Sequence, residues 1–407
     1  QYITDETYWD VWVKATGVMS PGKGYAAEGP SGETGMHELS FFGKPNYGTI
    51  TTAEMQFNND DGANENPDND FNLIGNPYPS AIDIEAFLEV NGKTRGVIDG
   101  TVYLWTHATE IADNRYSASD YVTYNYTGGT AIEENIDVSQ NIGSGQGFFV
   151  RALKSEPLVF EPSMILPGQN DQFFKSPNEK KSDERDRVWL NLKGTEGSFK
   201  QILIGFSDAS SDDFDPGYDA YYLDNGGSVA FYSLLKNKKL AIQGLGPFEP
   251  SLKIDLGIDI SDNDLDLLIE MERAEGLLQD AEIFLRDHTL GILHDLKQGS
   301  YHFKNNAAGS FDNRFSLVFN SAILSEEDLS FAEGLIIYLE EETLIVDGVE
   351  EIDEIRLYDL LGRQLMSDRP KMNSFQLGIE NIRTGSFFIV ELKGKNGTIT
   401  TKKMLKY

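Results

Sequence analysis

The chain has 407 residues, too many for one ordinary domain and enough to bury several cores of roughly 100–170 residues each. Its 34 lysines and arginines face 66 aspartates and glutamates, and a formal charge of −32 repels nucleic acid and anionic lipid, so neither is an expected partner. Cysteine is absent, which removes disulfides, thiolate metal sites and thiol nucleophiles, and no apolar run approaches the roughly 20 residues of a membrane-spanning helix.

Residues 1–12 carry no charged segment followed by an apolar one, so any signal peptide is expected to have been removed or to lie upstream. Trp9, Val11 and Val13 alternate with Tyr8, Asp10, Trp12 and Lys14, the period of two that marks a strand. Residues 17–24, GVMSPGKG, mimic a phosphate loop, but Gly24 stands where a hydroxyl would reach magnesium and no βαβ context follows, so a turn is expected. In GNPYPS, Pro77 and Pro79 flank Tyr78 and fix an extended turn, one of whose X-Pro bonds is a candidate for the cis form. One helix is expected over residues 81–90, capped by Ser80 or Asp83, with Ile84, Phe87 and Leu88 on one side and Asn91-Gly92 as its stop. Short apolar runs at 101–105, 121–126 and 147–153, set between Gly, Asn, Asp and Pro clusters, predict further strands. Residues 1–168 therefore read as one β-rich domain.

Residues 169–187 turn polar and charged without periodicity and read as a linker. A second β-region, 188–324, follows, with strands expected at 188–192, 201–206, 229–234, 265–272, 281–286, 301–303 and 315–319, a spacing that favours a sandwich. Its acidic loop offers Asp212, Asp213, Asp215 and Asp219, with Asp208 and Asp224 nearby and Pro216-Gly217 able to fold carboxylates toward one point. Calcium would suit such hard oxygen ligands, although the spacing is not that of an EF-hand and a solvated loop is the plainer reading. NNDDGANENPDND at 58–70 is a weaker duplicate. Residues 262–270 also begin like a calcium loop, but Leu267 replaces the required glycine and the segment reads as a strand with a polar lead.

The chain does not read as an enzyme. His37, His107, His288, His294 and His302 form no HExxH pair, no GxSxG elbow occurs, and acid pairs within β-loops establish no glycosidase spacing. Trp9, Trp12, Trp105, Trp189 and the YVTYNY run can stack on sugars or fill a core, which keeps a carbohydrate-binding accessory region of a secreted hydrolase as the alternative reading.

A polar break at Ser325–Asp328 sets off a tail, residues 333–407, near the low end for an independent domain. Ile355 and Leu357 alternate with Arg356 and Tyr358, the chain turns through DLLGR, and a second strand through Phe388, Val390 and Leu392 leads by an Asn396-Gly397 hairpin signal into a last strand. From Lys393 onward the charged residues are all lysines, Lys393, Lys395, Lys402, Lys403 and Lys406, in an otherwise acidic chain. Lysines on a last strand serve edge protection or recognition by a partner.

This tail resembles the C-terminal sorting domain of the type IX secretion system of Bacteroidetes, whose pattern has a YD-x-x-G-R hairpin, a later x-x-G-x-[YF] strand start and a lysine-rich final strand. Tyr358, Asp359, Gly362, Arg363, Gly385, Phe387, Lys402 and Lys403 match it, whereas the first strand, LIIYLEEETLIV, lacks the family's usual Asn-Pro turn. FNLIGNPYPSAID at 71–83, GQGFFV at 145–150 and WLNL at 189–192 also look like surface proteins and adhesins of gliding flavobacteria. The resemblance implies an all-β chain of tandem antiparallel β-sandwich domains ending in a small Ig-like sandwich. It further implies export through the type IX translocon, capture by an outer-membrane shuttle protein, and residence at the bacterial cell surface, with a surface glycan or lipopolysaccharide as a further expected partner class.

Overall fold

The computed structural model describes residues 2–3, 11–27, 42–58, 70–105, 121–131, 140–170, 185–194, 197–223, 228–305, 307–320, 336–340, 343–359, 363–383, 386–395 and 399–406. The fold is all-β, with one short α-helix, and the chain divides into two compact units, residues 1–319 and 320–407. The expected linker at 169–187 falls mostly outside the described residues, as does the polar break at 325–328.

The described residues between 42 and 170 of the first unit close around their own core. Its floor is an antiparallel sheet in the order Phe71–Gly75, Gly147–Arg151, Val102–Trp105, Tyr121–Tyr124, and inward residues such as Ile74, Phe148, Val150, Val102 and Leu104 are fully buried. The helix, Ile84–Leu88, covers it, and Phe87 lies 5.3 Å edge-on from Phe148 and 5.2 Å from Phe160 of the strand Pro157–Phe160. Asp83 is the cap, its carboxylate accepting from the Ala86 amide at 3.0 Å.

Two expectations need correction here. The helix does not start at residue 81, because Ala81–Asp83 is a strand paired with Ile165–Leu166 and Asn141–Ile142. Nor does Asn91-Gly92 stop it: the chain winds on through a wider π-type turn, Glu89–Thr94, in which Asn91 is fully buried. The Asn91 amide donates to the Phe87 and Val159 carbonyls at 3.1 and 2.8 Å, and its oxygen accepts from the Val159 amide at 2.8 Å. A side chain that satisfies three backbone groups of two elements braces the turn instead of ending it. No described peptide bond is cis, so both Pro77 and Pro79 follow trans bonds.

The described residues from 186 to 318 build one large, mostly antiparallel sheet, in the order Ile292–Asp295, Phe284–Asp287, Phe315–Val318, Lys253–Ile260, Val229–Leu235, Lys238–Leu245, Phe199–Phe206, Asp186–Gly194, Leu265–Glu275, Tyr301–Asn305. Its two ends meet through side chains. Phe303, on the last strand of that order, packs 4.9 Å from Phe315, and the Tyr301 hydroxyl donates to the buried Asp287 carboxylate at 3.1 Å. Arg314 reaches the same oxygen through Nε and Nη2 at 3.2 and 3.1 Å, while the other oxygen accepts from the Thr289 and Leu290 amides. Asp287 is thus a buried charge with every lone-pair direction used. Of the expected strands, those near 188, 201, 229, 265, 301 and 315 are present, the one near 281 begins only at Phe284, and the two central strands Lys238–Leu245 and Lys253–Ile260 were not expected.

A seam of polar and backbone contacts joins residues 99–105 and 121–131 to this sheet. The Trp189 indole donates to the Gly129 carbonyl at 2.9 Å, the Ala131 amide to Gln201 at 2.7 Å, Thr127 Oγ1 to the Tyr218 carbonyl at 2.7 Å and the Tyr126 amide to the Gly217 carbonyl at 2.9 Å. Within it Gly100 and Gly217 press backbone on backbone: a Cβ on Gly100 would stand 2.6 Å from the Gly217 Cα, and both residues have positive φ.

In the second unit, the 17-residue strand Thr343–Asp359 serves two sets of partners. Its first half lies between Ile336–Glu340 and Met372–Gly378, its second half between Gln364–Asp368 and Phe387–Gly394, and the register shifts between them. Leu344, Val346, Ile352, Ile355 and Leu357 from this strand, with Phe388, Val390 and Leu392, form the unit's buried core. Ile399–Leu405 pairs with Phe387–Gly394 as expected of the last hairpin, although residues 396–398 lie outside the described residues.

Candidate functional site

The motif-bearing hairpin is held by two of the residues that define it. Asp359 ends the long strand and Arg363 immediately precedes the next, and their backbones pair through the Asp359 amide and the Arg363 carbonyl at 3.0 Å. One Asp359 carboxylate oxygen accepts from the Arg363 amide at 2.9 Å and the other from the guanidinium Nε at 2.7 Å. An acid and an arginine four positions apart therefore close one turn, which is a physical reason for that spacing. Tyr358 donates to Glu391 on the neighbouring strand at 3.3 Å, and Arg356 bridges Glu391 and Glu354 at 3.3 and 2.7 Å. Desolvation pushes the Glu354 carboxyl up, but bonds from Arg356 and Arg369 outweigh it and hold the group below its ordinary range.

Gly362 and Gly385 lie outside the described residues. Phe387, Lys402 and Lys403 occupy register positions opposite Leu405, Val390 and Ile389, with the two lysines on the strand that ends the sheet's order. Lys406 does not belong with a solvent-facing basic group: it is buried, and its ammonium donates to the Ile379 carbonyl at 3.0 Å.

The acidic loop does not bring its carboxylates to one point. Asp213 pairs with Lys236, which lowers its pKa, and Asp215 accepts from the Ser211 hydroxyl at 2.7 Å. Asp219 turns inward, is fully buried, and accepts from the Asp215 and Gly244 amides at 2.7 and 2.9 Å. Burial pushes its carboxyl up to about 7 against those two bonds. Among the described residues no group of three or more histidine, aspartate or glutamate side chains is placed to hold a metal, and Asp213, Asp215 and Asp219 each have separate partners.

The aromatic residues divide. Trp189 is buried between the guanidinium groups of Arg273 and Arg187, 3.8 and 5.0 Å from its ring, and Tyr124 is buried with its hydroxyl on Glu85 at 3.0 Å. Trp12 and Trp105 are 49% and 39% exposed, and Trp9 lies outside the described residues. A cavity of about 250 Å³ opens along the seam, lined by Tyr126, Tyr218, Arg185, Arg187, Ser207 and Ser210 among others. Its arginines are occupied: Arg187 grips Glu275 and the Thr127 carbonyl, and Arg185 donates to the Tyr126 carbonyl. His288 and His294 bond Ser316 and the Gly299 carbonyl, while His37 and His107 lie outside the described residues.

A buried polar cluster that the sequence did not announce lies beside the seam. Asp99 Oδ2, the Tyr103 hydroxyl and Arg151 Nε are all shielded from solvent and have no hydrogen-bond partner. Asp99 looks like one more turn acid before Gly100, and nothing local marks it as buried.

The family model described as a domain of unknown function, DUF8693, matches residues 1–319. The chain belongs to that family. A second model, DUF8694, also a domain of unknown function, matches residues 324–406, so the two matches follow the two compact units. No curated protein matches the chain.

Proposed function

We propose that this is a secreted, non-enzymatic surface protein of the type IX pathway, in which residues 1–319 form the adhesive or spacer part and residues 320–407 the sorting module. The observation that carries the reading is the YDLLGR hairpin, whose Asp359 and Arg363 bond each other within a separately compact C-terminal unit. In this reading the long strand Thr343–Asp359 crosses between the two layers of a small Ig-like sandwich, consistent with its two sets of partners. The large sheet of the first unit is likewise a sandwich, its layers held by Tyr301, Phe303, Phe315, Arg314 and Asp287. The translocon and an outer-membrane shuttle protein are the partners. Removing residues 334–407 from the full-length protein in a type IX-competent host should leave it inside the cell envelope, and unchanged secretion of the truncated chain would overturn the assignment.

The carbohydrate-binding alternative is favoured by one observation, the exposed indoles of Trp12 and Trp105. Retention of the protein on a polysaccharide column, weakened by Trp105→Ala, would support it. Absence of binding across a glycan array would remove it.

A further inference from the structure

The cavity of about 250 Å³ on the seam is built from both sides of it. Tyr126 and Thr127 come from the turn after Tyr121–Tyr124, and Ser207, Ser210 and Tyr218 from the loop between Phe199–Phe206 and Ala220–Tyr221. Backbone contacts fix these walls. Thr127 Oγ1 donates to the Tyr218 carbonyl and the Tyr126 amide to the Gly217 carbonyl, while Arg185 and Arg187 donate to the carbonyls of Tyr126 and Thr127. Two glycines admit this closeness: a Cβ on Gly217 would stand 3.0 Å from the Tyr126 ring, and one on Gly205 2.4 Å from the Thr127 methyl. The cavity is formed before anything enters it, which spares a ligand the cost of ordering its walls.

Its chemistry selects one class of occupant. Each guanidinium in the wall faces a counter-charge: Arg187 Nη2 lies 2.5 Å from Glu275, and Arg185 Nη1 3.8 Å from Glu85. Two cations beside two carboxylates leave no net charge to draw an anion in. The hydroxyls play mixed roles. Ser207 Oγ accepts from the Ala209 amide at 3.1 Å and keeps its own proton to donate, whereas Ser210 Oγ donates to the Leu245 and Ser207 carbonyls at 2.5 and 3.2 Å and keeps lone pairs to accept. A donor beside an acceptor matches a ligand hydroxyl, which does both, and not a carboxylate, which only accepts. Tyr126 and Tyr218, with ring centroids 5.8 Å apart and planes tilted by 40°, add an apolar wall for C–H groups. The volume falls below the usual range of ligand pockets, about 300–1,000 Å³, and limits the occupant to one ring-sized molecule.

We propose that the seam cavity binds one neutral pyranose unit, its ring face against Tyr126 and Tyr218 and its hydroxyls on Ser207 and Ser210. The site rests on the reading of residues 1–319 as the adhesive part, and its lining includes neither Trp12 nor Trp105. A free monosaccharide and the end unit of a glycan satisfy it alike, because the cavity takes one ring and not a chain.

Saturation-transfer NMR and calorimetry on the purified full-length chain test it, with glucose, galactose, mannose, fucose and N-acetylglucosamine as neutral probes and glucuronate as the anionic one. At least one neutral pyranose should bind, and more tightly than glucuronate. Ser207→Leu, which fills the cavity, and Tyr218→Ala, which removes a wall, should each weaken that binding by about tenfold or more. Trp105→Ala should leave it unchanged. Should Tyr218→Ala not fold, Ser207→Leu decides alone, because the Ser207 hydroxyl serves only the exposed Ala209 amide. Absence of binding by every neutral probe, tighter binding of glucuronate, or a loss confined to Trp105→Ala would overturn the proposal. These outcomes are read on purified protein and leave the sorting assignment to its own truncation test.

Discussion

At the scale of single residues, two buried asparagines do the work that repetitive hydrogen bonding does elsewhere. Asn76 donates to the Ser80, Ile142 and Gly143 carbonyls at 2.9–3.0 Å and accepts from the Tyr78 amide, so it holds the Pro77–Pro79 turn against the strand Asn141–Ile142. Asn91 ties the helix end to Pro157–Phe160 in the same manner. Asn91→Ala leaves backbone groups unpaired in a dry interior and should destabilise the first unit by about 2–4 kcal/mol, measured by urea unfolding; a loss within experimental error would show that the Val159 groups find other partners. Asp359→Ala removes one backbone and one guanidinium bond from a hairpin whose arginine is largely exposed. It should cost only about 1 kcal/mol of stability. A much larger drop in secretion than in thermal stability would separate a recognition role for the hairpin from a purely structural one.

At the scale of elements, Gly100→Ala tests the seam. The added methyl meets the Gly217 backbone, and the positive φ is strained for any side chain, so a cost of about 2 kcal/mol or more is expected, with rescue absent because no flexible atom can yield. Strands buried along nearly their whole length, such as Asp186–Gly194 and Phe199–Phe206, were legible in the sequence because their residues form short apolar runs. Two strands at the middle of the large sheet were not. In Lys238–Leu245 the inward face includes Gln243, and Gly244 leaves room for Tyr218, so the segment looks polar and broken. Lys253–Ile260 alternates well through Ile254, Leu256, Ile258 and Ile260, but Gly257 interrupts it, and the ring that covers that glycine, Tyr232, comes from the neighbouring strand. Such compensation across strands has no local signature. The same limit hid Asp99, and it made the carboxylates of the 207–219 loop look convergent when backbone amides and Lys236 take them separately.

At the scale of the whole molecule, closure of the large sheet depends on the Asp287, Arg314 and Tyr301 cluster. Asp287→Ala strands a buried guanidinium and two amides and should cost about 3–5 kcal/mol, lowering the unfolding midpoint of the first unit while leaving the second unit's transition unmoved. Equal shifts of both transitions would contradict the division into two compact units. That division bears directly on the proposed function, because a sorting module would have to work apart from its cargo. Its direct test is a fusion of residues 320–407 to an unrelated periplasmic reporter, expressed in a type IX-competent host and in the same host lacking the translocon. Export in the first host and retention in the second is the expected result, and a reporter whose location is indifferent to the fused unit or to the translocon would contradict the account.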